Sequence, residues 1–407
     1  MAIKKIRVKN FKSFKDMEVE LGNLNILIGA NASGKSNFVE IFRFLRDIQT
    51  SGLDNAISLQ GGEYLRNINA DSSEVLSLEF VSDQRCIDVD CGKDVYEITY
   101  EFAIVFNDDQ SGFEIANDRL TQKCKLFKFS EQEKTYMEIG QGEIIISKTG
   151  GKVVTHWEIP PEVLKERGKL FPEAFIPKEL PPRTLLLEAQ PIALLIPSML
   201  MPDDFISIYD FDPKRPKRSA PILGKAELEE NGENLAIVLN NIMGKKDEKR
   251  KFFNLVKYLL PFVDDVVIER YSDKSLRIRI RETYSEEFLP PFLLSNGTIN
   301  MIALVLALYF EKNQLTIIEE PERDIHPHLI SKVVHMMEDA SANKQIIVTT
   351  HNPEMVKHAD PKNLLLISRN KEGFSSISRP HDKEKVKIFL ENEIGIEDLY
   401  VDSLLEI

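Results

Sequence analysis

A chain of 407 residues, 43% hydrophobic and 29% charged, is long enough to bury a large core in one big domain or two lobes. Its net charge of −13 excludes a surface that is basic throughout, since phosphate binding needs positive potential. The lysines of MAIKKIRVKNF precede no apolar run, and the longest apolar stretch, Met301 to Phe310, is roughly half a membrane span, so the reading is cytoplasmic, with no membrane partner. Cys86, Cys91 and Cys124 are too few for a disulfide framework and read as reduced thiols.

In chain order, the first predicted elements are two short strands, Ile3 to Val8 and Leu24 to Ile28, joined through NFKSF. A glycine-rich turn follows, and then Phe38, Ile41, Phe42, Leu45 and Ile48 recur at helical spacing over Ser36 to Ile48. Residues 75 to 158 alternate in the strand manner, as in YEITYEFAIVF and GEIIIS, which predicts an antiparallel sheet. Twelve prolines from Pro160 to Pro221 exclude a long coiled coil there and predict irregular connections. Helices are expected at Asn234 to Ile242 and Glu248 to Leu260. Beyond residue 290 come helix Thr298 to Phe310, strand Leu315 to Ile318, helix Pro327 to Met337, and strands Gln345 to Thr349 and Asn363 to Ile367. Strands this apolar, separated by helices, predict a parallel α/β sheet. The simplest division is an N-terminal lobe over 1–185 and a C-terminal lobe over 186–407.

Chemistry concentrates in four places. Gly29, Ala30, Asn31, Ala32, Ser33, Gly34, Lys35 and Ser36 fit G-x-x-x-x-G-K-[ST] between a strand and a helix. Such a loop turns backbone N–H groups around phosphates at a helix N-terminus, Lys35 reaches the β- and γ-phosphates, and the Ser36 hydroxyl ligates Mg²⁺. At the end of Leu-Thr-Ile-Ile-Glu-Glu, Glu319 and Glu320 point to opposite faces and so take different roles. Glu319 would hold Mg²⁺ through water and Glu320 would polarise the attacking water. Alone, such a pair is more often a solvated strand end; the partner motifs reverse that. His351, after the apolar strand QIIVT, stands where ligands bind in an open α/β sheet, and taken alone it reads equally as a core or a site residue. Ser295 and Gly297, before an apolar helix, form a second anion-binding cap, or an ordinary N-cap. His326 and His328 invite a metal reading that no second pair at ligand spacing supports. Two basic patches, Lys214, Arg215, Lys217 and Arg218, and Lys245, Lys246, Lys249, Arg250 and Lys251, read as solvated surface or as a polyanion contact.

Together, NFKSF, GANASGKSN, LLSNGT, TIIEEPERDIHPHL and VTTHNPEM resemble the RecF/SMC-like branch of ABC-type ATPases, and within it compact ATPases related to the overcoming-lysogenization-defect (OLD) proteins. LEENGENLAIVLNNI, residues 228 to 242, also resembles that compact group. The resemblance implies an α/β P-loop ATPase head with an antiparallel β subdomain and a second, helical and α/β lobe. It implies ATP and Mg²⁺ as ligands, with two ATPs sandwiched between head-to-tail subunits, Ser295 and Gly297 touching the γ-phosphate held by the other subunit's Lys35. His351 would be the switch histidine, Arg323 and Asp324 would lie at the dimer interface, and Asn37, Lys12 and Ser13 would lie near the nucleotide. Gln190 in LLLEAQP is the candidate glutamine-loop metal ligand. The usual acidic-strand aspartate is Glu319 here, one methylene longer.

Two roles follow from the resemblance. One is a regulatory ATPase that holds a separate effector, such as a nuclease, in bacterial anti-phage defence. The other is a RecF-like repair or recombination ATPase that binds DNA itself. The stretch from His351 to Ile407 is too short for the carboxylate-rich metal domain of OLD-like nucleases, so the expectation is ATP hydrolysis without cleavage of nucleic acid by this chain.

Overall fold

The computed structural model describes residues 3–67, 74–83, 86–88, 93–107, 112–130, 135–160, 176–189, 206–383 and 396–401. They form two compact units between which the chain passes repeatedly: 1–22, 32–205 and 367–378 make one, and 23–31, 206–366 and 379–407 the other. A single cut after residue 185 is simpler than this interleaved division.

The first unit is built on an eight-stranded antiparallel sheet. Its order is Phe14–Glu20, Ile3–Phe11, Leu76–Ser82, Lys93–Phe106, Phe113–Ser130, Thr135–Thr149 and Lys152–Glu158, with Cys86–Asp88 paired to Lys93–Phe106. Leu76–Ser82 alternates buried and half-buried residues, the expected result of period-two patterning on a half-covered sheet. Strand Phe14–Glu20 lies within what the sequence reads as connection. Phe14, Met17 and Val19 are its buried positions, and the three-residue step from Phe14 to Met17 breaks the alternation that announces a strand. It forms a hairpin with Ile3–Phe11 whose turn is Lys12 and Ser13. The two outer phenylalanines of NFKSF then pack on the helix Lys35–Ser51, Phe11 against Phe44 and Phe14 against Phe38, at centroid distances of 6.0 and 6.5 Å. That helix buries Phe38, Ile41, Phe42, Leu45 and Ile48, the stripe its spacing predicts.

The second unit holds parallel strands in the order Ile206–Tyr209, Leu315–Glu319, Gln345–Thr350, Leu24–Ile28 and Leu364 to Leu366, the start of the strand Leu364–Arg369. Every residue of Gln345–Thr350 and Leu24–Ile28 is buried, as a parallel strand covered on both faces must be. The helix Asn296–Tyr309 is apolar on all sides because it is buried on all sides, from Thr298 to Leu308. Lys344 closes its C-terminal end, donating to the carbonyls of Ala307 and Glu311 at 2.9 and 3.0 Å. Helices Leu235–Met243, Lys246–Leu259 and Pro327–Ser341 complete this core, together with a small antiparallel sheet of Ala220–Pro221, Ser275–Glu282, Val263–Arg270 and Phe288–Leu289. Among the described residues, no helix is long and apolar enough to cross a membrane.

Candidate functional site

Gly29 to Ser36 joins a buried strand end to the first turn of a 17-residue helix. Two residues of the loop take left-handed backbone, Ala32 with φ 63° and Gly34 with φ 118°. At Gly34 a side chain is excluded twice over, by φ and by space: a Cβ there would collide with the Ser375 hydroxyl and stand 3.0 Å from the Ser13 Oγ. Those hydroxyls brace the loop. Ser375 Oγ lies 2.6 Å from the Ser33 carbonyl and 2.8 Å from Ser13 Oγ, the Ser375 N–H donates to the Ser13 carbonyl, and Asn37 Nδ2 donates to Ser13 Oγ at 2.8 Å. Ser13 and Asn37 are therefore tied to the loop's own framework. The Lys12 ammonium donates to Glu40 at 3.1 Å, on the helix that the loop opens. Lys35 is buried and Ser36 is exposed. A loop with two left-handed residues at a helix N-terminus, a buried lysine and an exposed hydroxyl fit a nucleoside triphosphate and its Mg²⁺.

In the second unit the acidic strand ends where the sequence places it. Glu319 is the last residue of Leu315–Glu319, in register with Thr349, and Glu320 follows with φ 45°, its N–H bonded to the Thr349 carbonyl. A glutamate in left-handed backbone is strained, a feature that clusters at functional sites. Its carboxylate is gripped from two sides: His351 Nδ1 lies 2.9 Å from Oε1, and Arg323 donates to Oε2 at 3.1 Å. Burial alone would push the Glu320 carboxyl up, but Arg323 and His351 overcome it and hold it below the usual carboxylate range. Arg323 is itself anchored by Asp210, at 2.9 Å, just beyond the end of Ile206–Tyr209. Glu322 is buried, which pushes its carboxyl up, and accepts a hydrogen bond from the Thr350 hydroxyl at 2.5 Å. Glu320 and His351, distant in sequence, thus meet.

Ser295 is the N-cap of the helix Asn296–Tyr309, its Oγ accepting from the Thr298 N–H at 3.0 Å. The start of this helix is fastened to the loop after Glu320. Asn300 Nδ2 donates to the Arg323 carbonyl at 2.8 Å, and a Cβ on Gly297 would lie 2.5 Å from the Asp324 carbonyl. Tyr400 donates to the Gly29 carbonyl at 3.3 Å. Asp210, Asn300, Ser375 and Tyr400 are absent from the sequence reading because no motif or period marks them. Gln190 lies outside the described residues.

Several members of the two basic patches have surface partners. Arg215 pairs with Asp212 and Glu233, Lys245 with Glu248 and Arg250 with Asp247. Lys249 and Lys251 lie over aromatic rings of Phe253, Tyr309 and Phe310. His326 and His328 contact each other through Nδ1 at 2.7 Å, and no group of three or more metal-ligating side chains occurs among the described residues.

Two family models match the chain: "AAA ATPase domain" over residues 1–152, and "AAA domain, putative AbiEii toxin, Type IV TA system" over residues 211–357. The chain is similar to DNA replication and repair protein RecF of Lactococcus lactis subsp. cremoris, 44% identical over 46 residues, 11% of this chain and 13% of that protein. RecF of Francisella tularensis subsp. novicida is 24% identical over 152 residues, 35% of this chain and 43% of that protein. The matched stretches therefore span less than half the length of these curated relatives. Among solved structures, an Smc head bound to the C-winged helix domain of ScpA has a TM-score of 0.55 at 15% identity, covering 93% of this chain and 98% of that one. The Smc head from Pyrococcus furiosus bound to the C-terminal domain of ScpA has a TM-score of 0.52 at 14% identity, covering 96% and 99%. The fold is that of an ABC-type P-loop ATPase head, and the models and relatives support the RecF/SMC-like kind.

Proposed function

We propose that this chain binds ATP with Mg²⁺ and hydrolyses it. The observation that carries this reading is the meeting of Glu320 with His351 and Arg323 at the C-terminal ends of parallel strands, in a chain whose loop 29–36 has the phosphate-binding sequence and backbone. Lys35 and the loop N–H groups would neutralise and orient the triphosphate, so that most of the catalysis is positioning and charge stabilisation. Mg²⁺ would be held by Ser36, by Glu319 through water and by Gln190, and would supply charge neutralisation at the phosphate oxygens. Glu320 would accept the proton of the attacking water once His351 turns from its carboxylate to the γ-phosphate.

Two copies would close head to tail over two nucleotides, each presenting Ser295 and Gly297 to the ATP on its partner's Lys35. The cycle would hold and release a separate effector, such as a nuclease, in a cytoplasmic anti-phage system of the OLD-related kind. Mixing two inactive variants tests the arrangement. Ser295→Arg and Lys35→Ala should recover partial hydrolysis together, because one composite site per mixed dimer keeps both wild-type residues. No recovery in verified heterodimers contradicts the head-to-tail dimer.

The similarity to RecF favours a second reading, a repair or recombination ATPase that binds DNA directly. The acidic balance of the chain, a net charge of −13, weighs against it. ATP hydrolysis stimulated by DNA, with a stimulation that falls steeply as salt rises, would decide for the second reading.

A further inference from the structure

The proline-punctuated loop carrying Lys214, Arg215, Lys217 and Arg218 is the basic segment that the functional reading leaves unused. Within it Lys217 behaves differently from Arg215, whose guanidinium pairs with the carboxylates of Asp212 and Glu233. The half-buried Lys217 ammonium donates to the Leu294 carbonyl and to Asn296 Oδ1, both at 2.7 Å. These acceptors belong to the residues immediately before and after Ser295. One cation thus fixes both sides of the residue read as the contact to nucleotide on a second copy.

Helix stability does not account for this placement. The N-terminus of the 14-residue helix Asn296–Tyr309 carries the positive end of its dipole, where a carboxylate stabilises and an ammonium does not. The cap itself is already made by Ser295 Oγ on the Thr298 N–H. What Lys217 adds is a tether for the loop, held from a segment stiffened by Pro213 and Pro216. We propose that Lys217 is a positioning residue for hydrolysis, acting through the Leu294–Asn296 loop on the orientation of Ser295 toward the partner's nucleotide. This rests on the head-to-tail reading given above.

The experiment uses the full chain. Lys217→Met should fold as wild type, keep its equilibrium affinity for ATP and lose roughly tenfold in kcat, the scale of a small misplacement at a site of positioning. Lys217→Arg, which keeps a charged donor, should retain most of the rate, and Asn296→Ala, which removes one acceptor, should lower kcat by less than Lys217→Met. Mixing then assigns the defect to one side of the composite site. Lys217→Met mixed with Lys35→Ala should reach the rate of the Ser295→Arg and Lys35→Ala control, whereas Lys217→Met mixed with Ser295→Arg should recover nothing. Recovery in that last mixture, an unchanged kcat, or a loss of ATP affinity in place of kcat overturns the inference while leaving the dimer reading intact. Failure of the control mixture overturns the head-to-tail reading, and this inference with it.

Discussion

At Gly297 the backbone of the segment that carries Ser295 closely approaches that of the loop after Glu320. A Cβ there would stand 2.5 Å from the Asp324 carbonyl, and a carbonyl cannot swing aside as a side chain can. Asp324 itself has φ 62°, and its neighbour Arg323 is fixed through its carbonyl to Asn300 and through its guanidinium to Glu320 and Asp210. Gly297→Ala must therefore displace the loop that holds Glu320. We expect it to fold, to bind ATP with little change and to lose at least roughly tenfold in kcat, as small misplacements of catalytic groups do. Steady-state hydrolysis beside equilibrium binding checks this, and wild-type turnover would show that the contact is irrelevant to the chemistry. At this scale the candidate site was legible at strand ends: Glu319, Glu320 and His351 stand at the ends of runs whose apolar character announces buried strands. Asp210 and Ser375 were not legible. They reach their partners across 113 and 362 residues, and neither periodicity nor spacing encodes a contact of that separation.

Among the elements, the turn Leu186–Glu188 shows how a segment with little structure of its own is secured. Asp118, fully buried on Phe113–Ser130, accepts from the Leu186 N–H at 2.8 Å and from the Tyr100 hydroxyl at 2.9 Å. Glu188 accepts from the N–H groups of Leu185 and Leu53, fastening the turn to the first residue of the helix Leu53–Leu59. Burial pushes the Asp118 carboxyl up to about 7, against the opposing pull of the Leu186 N–H, Tyr100 and Lys148, with Glu188 adding to the rise. A carboxyl raised on folding holds a proton that the unfolded chain has already released. Its contribution to stability is complete below the ordinary aspartate range near pH 4 and is lost as pH rises through about 7. The stability of wild type relative to Asp118→Asn should accordingly shrink as pH rises from 5 to about 8, since the other titrating groups largely cancel in the difference. Thermal unfolding of both proteins across that range tests it, and a constant or widening margin contradicts the assignment. Most elements could be read from the sequence because their patterns are clean, a helical period in Lys35–Ser51 and a continuous apolar run in Gln345–Thr350. The strand Phe14–Glu20 escaped because its buried residues do not alternate strictly, and the helix Asn296–Tyr309 begins two residues earlier than its apolar run because Ser295 caps it.

Over the whole molecule, the candidate site residues fall into two groups. Ser295, Glu319, Glu320 and His351 all fall in the unit that contains 206–366, whereas Ser33 to Ser36, with their brace of Ser13, Asn37 and Ser375, fall in the other. The loop 29–36 contains the point where the chain passes from one unit to the other, between Asn31 and Ala32. Interleaving of this kind follows from long-range strand pairing: Leu24–Ile28 lies in register beside Gln345–Thr350, and Leu364 to Leu366 lie beside it in turn. A linear cut through the sequence has no access to those pairings. On the proposed reading the protein hydrolyses ATP, with Lys35 binding phosphate and Glu320 acting on water. The most direct test measures equilibrium ATP binding and steady-state hydrolysis on the same preparations of wild type, Lys35→Ala and Glu320→Gln. We expect hydrolysis by wild type, loss of nucleotide binding in Lys35→Ala, and in Glu320→Gln wild-type binding with turnover reduced by roughly 100- to 10,000-fold. Wild-type turnover in Glu320→Gln, or undiminished nucleotide binding in Lys35→Ala, would contradict it.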